Sequence, residues 1–105
     1  MSRRLRSDIR INAILRTAQG AGGFGVVLHK GHEEAGIIYL LHRTKNIYTL
    51  LVENSSSPPE QSWRSCLNDA SVEEVEKFIA KERQFDRDLW VVEVEECDLT
   101  LFLDS

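Results

Sequence analysis

Three consecutive runs between residues 24 and 53 limit the fold more than any other feature of the chain. "FGVVLHK" (24–30), "GIIYLLHR" (36–43) and "IYTLLVE" (47–53) are rich in β-branched and aromatic residues. Turn residues separate them, in "GHEEA" and "TKN". This is the signature of successive strands. Pairing of the first two runs as a hairpin puts Phe24, Val26, Leu28, Ile38 and Leu40 on one face. Val27, Ile37, Tyr39 and Leu41 then share the other. Both faces are apolar, whereas an antiparallel sheet with helices on one side alternates between apolar and polar residues. The second face therefore needs a cover: a helix on each side, the C-terminal tail, or a second copy in an isologous dimer.

The other elements follow from local patterns. "SWRSCLN" (62–68) alternates and is a weaker strand. "SVEEVEKFIAKERQF" places Val72, Val75, Phe78 and Ile79 on one side of a helix over 72–84. Ser71 and Glu74 form a capping box at its start, each side chain satisfying the other residue's backbone N–H. "DLWVVEVEE" is the last clear strand. "LTLFLDS" alternates and is read as a further strand or an arm at 98–105. "ENSSSPPEQS" breaks regular structure, so 54–61 is a surface loop. The first segment, "RRLRSDIRIN", has a period of two, with Leu5, Ser7, Ile9 and Ile11 on one face. A strand followed by a short helix capped by Asn12 is preferred to a helix beginning at Ser7. That helix stops near Gly20 to Gly23.

The expected fold is one α+β domain over residues 1–105. It has a mostly antiparallel sheet of about five to six strands and two helices, in the order β-α-β-β-β-β-α-β. A ferredoxin-like core with extra strands fits this order.

Composition excludes more than it identifies. Hydrophobic residues make up 42% and charged residues 29%, which is ordinary for a globular domain. No apolar stretch reaches the roughly 20 residues needed to span a bilayer. The N-terminus lacks the apolar core of a secretory signal, so the cytoplasm is the expected compartment. Cys66 and Cys97 are far apart and fit reduced thiols.

Three segments, "LRSDIRINAILR", "AGGFGVVLHKGHEEAGIIYL" and "RQFDRDLWVVEVE", agree in order with an alphaproteobacterial family of uncharacterised small proteins, domain of unknown function 1491. The chain resembles that family over roughly residues 3–96. It departs from the family's pattern at Arg10, in place of a tryptophan, and at Arg87, in place of a proline. A site built on an aromatic ring at position 10 is thereby absent here. The resemblance implies a bacterial cytoplasmic protein and assigns no reaction, cofactor or catalytic residue.

The residues themselves offer weak sites. His29 and His42 fall at opposite ends of the hairpin register; only His29, His32, Glu33 and Glu34 can converge, and a flexible turn makes a poor metal cage, so no metal site is expected. The glycines at 20, 22, 23 and 25 follow a helix, and the negative end of its dipole repels phosphate. No cofactor is therefore expected. Asp86 and Asp88 flank Arg87 just before Trp90, in a link whose simplest role is to join helix to strand. If a small enzyme were hidden here, Asp86, Asp88 and Trp90 would line its groove. Arg4, Arg6 and Arg10 offer charge for RNA or a nucleotide, but the net charge of −4 opposes it. The leading expectation is a non-catalytic interaction or regulatory module that pairs with itself or with another protein. Val27, Ile37, Tyr39 and Leu41 are its expected interface.

Overall fold

A computed structural model of the chain describes residues 6–53 and 63–103. Arg4 and the expected loop at 54–61 lie outside the described residues. The elements are α1 (Ser7–Gly20), β1 (Phe24–His29), β2 (Ile38–Thr44), β3 (Ile47–Glu53), β4 (Trp63–Ala70), α2 (Val72–Phe85), β5 (Trp90–Glu95) and α3 (Thr100–Leu103). The fold is α+β around one five-stranded sheet, in the order β1-β5-β2-β3-β4. The pairs β1–β5, β2–β3 and β3–β4 are antiparallel. The pair β2–β5 is parallel, so the sheet is mixed.

The first segment is helical from Ser7, not a strand. Ser7, Ile11, Ile14 and Ala18 are its buried residues, and they recur at helical spacing. Ile9, inward in a strand, is 48% exposed. Asn12 lies inside the helix and caps nothing. The helix start is satisfied from a distance instead: the Ser7 and Asp8 N–H groups donate to the Glu34 and Glu33 carbonyls at 3.3 and 2.9 Å. With no strand ahead of α1 among the described residues, the ferredoxin-like order is not formed.

The stop at the glycines is as expected. Gly22 has φ of +84°. The N–H groups of Gly22 and Gly23 return to the carbonyls of Gln19 and Ala18 at 3.0 and 2.9 Å. This is a Schellman ending, and it needs a left-handed residue. The capping box of α2 is also formed: the Glu74 N–H donates to Ser71 Oγ at 3.2 Å, and the Ser71 N–H to Glu74 Oε1 at 2.8 Å.

β5 separates β1 from β2, so the expected hairpin between the first two strands does not exist. Val27 lies opposite Val92 on β5, and Leu40 lies between Val92 and Leu51. The two helices divide between the faces. α1 covers one with Ile11, Ile14 and Ala18 against Ile38, Leu40, Leu51, Trp90, Val92 and Val94. α2 covers the other with Val75 and Ile79 against Tyr39, Leu41, Tyr48, Leu50, Val52 and Val91. The tail is no strand. Asp98 Oδ1 accepts from the Thr100 N–H at 3.0 Å and starts the short α3. Leu99 and Phe102 then pack onto the α1-side core, and Trp63 Nε1–H donates to the Phe102 carbonyl at 3.0 Å.

Candidate functional site on the open half of the sheet

The busy link before β5 is a fastening. The Asp88 N–H donates to Asp86 Oδ1 at 2.9 Å, which shapes the turn. The Asp88 carbonyl accepts from the His32 N–H at 2.9 Å. The Trp90 backbone N–H donates to the Ile37 carbonyl at 2.7 Å, and its Nε1–H to the His32 carbonyl at 2.8 Å. Gly31 and Gly36 pass so close that a Cβ on either would overlap the Asp88 carbonyl. Ser7 Oγ donates to the Gly36 carbonyl at 2.6 Å and ties in α1. Trp90 is 4% exposed in the α1-side core, while Asp88 faces solvent. Asp86, Asp88 and Trp90 therefore do not line a common groove. Phe85, which ends α2, is 79% exposed.

Arg6 and Arg10 are committed to acidic partners within the chain. Arg6 lies within 3.2, 3.7 and 3.6 Å of Asp8, Glu33 and Glu34. Arg10 pairs with Glu53 of β3, in a site where the two side chains are 11% and 3% exposed. Glu53 also accepts from the Ile38 N–H at 3.3 Å. At Arg10 this chain thus holds a buried ion pair that pins α1 to the sheet.

The residues expected at an interface do not share a surface. Tyr39 and Leu41 are buried under α2. Tyr39 Oη also donates to Glu82 Oε1 at 3.1 Å. Burial, together with this carboxylate, raises the phenol's pKa well above its usual range. Ile37 packs at the margin of the same core, and Val27 packs on the opposite, α1-side face. The hairpin assumption caused the error: once β5 intervenes, the faces of β1 and β2 no longer correspond as assumed.

The histidines are likewise dispersed. His42 Nε2 lies 2.7 Å from the Cys97 carbonyl on the α1 side. His32 Nδ1 accepts from the Glu34 and Ala35 N–H groups within its own turn. His29 belongs to β1. Among the described residues, no three His, Cys, Asp or Glu side chains cluster as metal ligands would. Cys66 and Cys97 pack on opposite cores as free thiols. Burial pushes both pKa values up, which disfavours the nucleophilic thiolate.

What remains open on the α2-side face is the β1 strip. α2 lies over β3 and β4, and its core extends to Val91 of β5 but not to Phe24, Val26 and Leu28. Phe24, Val26 and Leu28 of β1 are 60%, 50% and 43% exposed. Glu95 and Glu93 stand beside Phe24 and Val26 on β5, with Arg43 and Leu41 next in line on β2. Between this strip and α2 runs a groove of about 560 Å³. Leu28, Leu41, Val75 and Ile79 line it, and His29, Arg83, Glu76 and Glu93 add polar groups. A register shift between Val27 and His29 sets His29 opposite Val91, on the groove side. Such bulges re-aim side chains. Burial, then the Arg83 charge, lowers the pKa of His29. Burial, then Glu95, raises that of Glu93. The alternation of Phe24, Val26 and Leu28 was visible in the sequence; that they would face away from Ile38 and Leu40 was not.

The two edges of the sheet differ. β4 is polar, its register with β3 shifts twice, and Asp69 has φ of +49°. These are the devices by which edges avoid pairing. β1, "FGVVLH", has no Lys, Arg, Asp, Glu or Pro, its one register shift lies near its end between Val27 and His29, and among the described residues no strand pairs with its outer edge.

Comparison with known proteins agrees with this architecture. A solution structure of protein Atu0922 from A. tumefaciens is 32% identical, with a TM-score of 0.86 over 96% of this chain and 93% of that one. A crystal structure of a DUF1491 family protein from Caulobacter crescentus is 27% identical, with a TM-score of 0.81 over 95% of each chain. An NMR structure of a DUF1491 family protein from the same organism gives 26% and 0.80 over 97% and 94%. No curated protein matches. Among the described residues, no helix is long and apolar enough to cross a membrane. The family model described as protein of unknown function (DUF1491) matches residues 5–104, tail included, and the chain belongs to that family.

Proposed function

We propose that the protein is a non-catalytic interaction module of the bacterial cytoplasm that works as a homodimer through β1. The observation that carries this reading is the contrast between the blunted β4 edge and the uncharged β1 edge, with Phe24, Val26 and Leu28 exposed beside it. An antiparallel two-fold pairing centred on Val26 sets Phe24 beside Leu28 of the other copy and Gly25 beside Val27. Each large side chain then has an apolar or small neighbour across the seam. The unused N–H and C=O groups of the outer edge gain partners in one continuous sheet. This interface uses Val27 but replaces Ile37, Tyr39 and Leu41 with Phe24, Val26 and Leu28.

Light scattering behind size-exclusion chromatography, across a dilution series, tests this. The expected mass is near twice 12.0 kDa, falling to that of one chain for Val26→Lys. A wild-type monomer at every concentration would overturn the proposal.

A further inference from the structure

We infer that the groove between α2 and the β1–β5 strip binds an amphipathic organic carboxylate, with its acid group at His29 and Arg83 and its apolar body over Leu28, Leu41, Val75 and Ile79.

The volume of about 560 Å³ falls within the range of small-molecule sites. Its apolar lining comes from both walls, Val72, Val75, Ile79 and Ala80 on α2 and Leu28, Leu41 and the Tyr48 ring on the sheet. The polar groups are sorted along its length. His29 stands opposite Val91, near the start of β5, and Glu93 stands two residues further along, opposite Val26. On α2, Arg83 lies in the last turn and Glu76 near the first. One end of the groove is therefore cationic and the other acidic. Arg83 makes no ion pair among the described residues, and its whole charge more than offsets the roughly half negative charge of the helix C-terminus. An anion entering at that end meets a guanidinium and an imidazole N–H.

The remaining contents of the groove favour an apolar body over a second charge. Beyond His29 the body crosses Leu28 and reaches the level of Leu41, which lies beside Glu93. That carboxyl is half-buried and held towards its neutral form by burial and by Glu95, which suits an apolar neighbour. The bulge gives the arrangement its cause: without the extra residue, His29 would share the α1-side face with Gly25 and Val27. Binding here does not depend on dimerisation, because pairing at the outer edge of β1 leaves the groove on the sheet face open.

Titration of the isotope-labelled full-length chain with decanoate, followed by amide chemical shifts, tests the inference. Decyltrimethylammonium serves as the matched cation. The expected result is saturable decanoate-dependent shifts in β1, β5 and the second half of α2, and no saturable shift from the cation. Arg83→Gln should weaken decanoate at least about tenfold, the loss of a charge-assisted contact, with an unchanged thermal melt. Ala80→Glu, at the solvent-exposed rim of the groove, should weaken it as much by placing an acid one turn from Arg83. Absence of saturable shifts, equal binding of the cation, or full decanoate affinity in both variants would overturn it.

Discussion

The two faces of this sheet are made from the same strands and end in different states. On the α1 side, the helix, Trp63, Trp90 and the tail residues Leu99 and Phe102 close over Ile38, Leu40, Val92 and Val94, which are 0% exposed. On the α2 side, the helix covers Tyr39, Leu41, Leu50 and Val91, and the strip from Phe24 to Leu28 meets solvent. The sealed face is needed for folding and the open strip is available for binding. The lesson is about where to look. The busiest stretch of the sequence, "DRDLW", serves the buried cores through Leu89 and Trp90, while the plainest, "FGVVLH", borders the open strip.

Substitutions can break this contrast. The largest expected effect is at the buried pair that locks α1 down. Arg10→Ala breaks the buried Arg10–Glu53 pair and should cost about 3–5 kcal/mol in a denaturant melt. Leu40→Ala, at the centre of the sheet and under α1, should cost about 2–5 kcal/mol through lost transfer energy and a cavity. A smaller and opposite effect is expected on the open strip. The carboxyl of Glu93 has its pKa raised on folding, first by burial and then by Glu95. The folded state therefore holds that proton more tightly than the unfolded one, so its contribution is present in acid and lost as pH rises through the folded pKa. Glu93→Gln should raise Tm at neutral pH, and the gain should vanish below the ordinary carboxyl range. The smallest effect belongs to Val26→Lys, which should change the stability of the single chain by no more than about 0.5 kcal/mol. If Val26→Lys unfolds the chain as Leu40→Ala does, the two halves are not different in kind.

Signals carried by neighbouring residues were legible in the sequence. The capping box at Ser71 and Glu74, the glycine ending of α1 and the span of β3 each depend on a few adjacent positions, and each stands as read. What failed depended on distant partners. Residues 7–11 satisfy a strand pattern and a helix pattern alike. The carbonyls of Glu33 and Glu34, more than twenty positions away, decide between them by capping the helix. The hairpin reading failed because β5, from the far end of the chain, enters between β1 and β2. A one-residue bulge then moved His29 onto the other face, and periodicity alone does not reveal it. The tail alternates as a strand would, yet Asp98 starts a helical turn and Trp63 holds it. The candidate site inherited these errors. Its residues were named for an assumed hairpin, but Tyr39 and Leu41 face a core that only the helix placement defines.

Hydrogen exchange of the β1 amides, measured across a concentration series, tests the claim that β1 is the working edge. The account predicts that outer-edge amides between Phe24 and His29 are protected at high concentration and exchange freely on dilution. Val26→Lys should remove the protection at every concentration, while the β5 and β2 amides stay protected throughout. Outer-edge β1 amides that exchange freely at all concentrations, or that are protected equally in Val26→Lys, would contradict it.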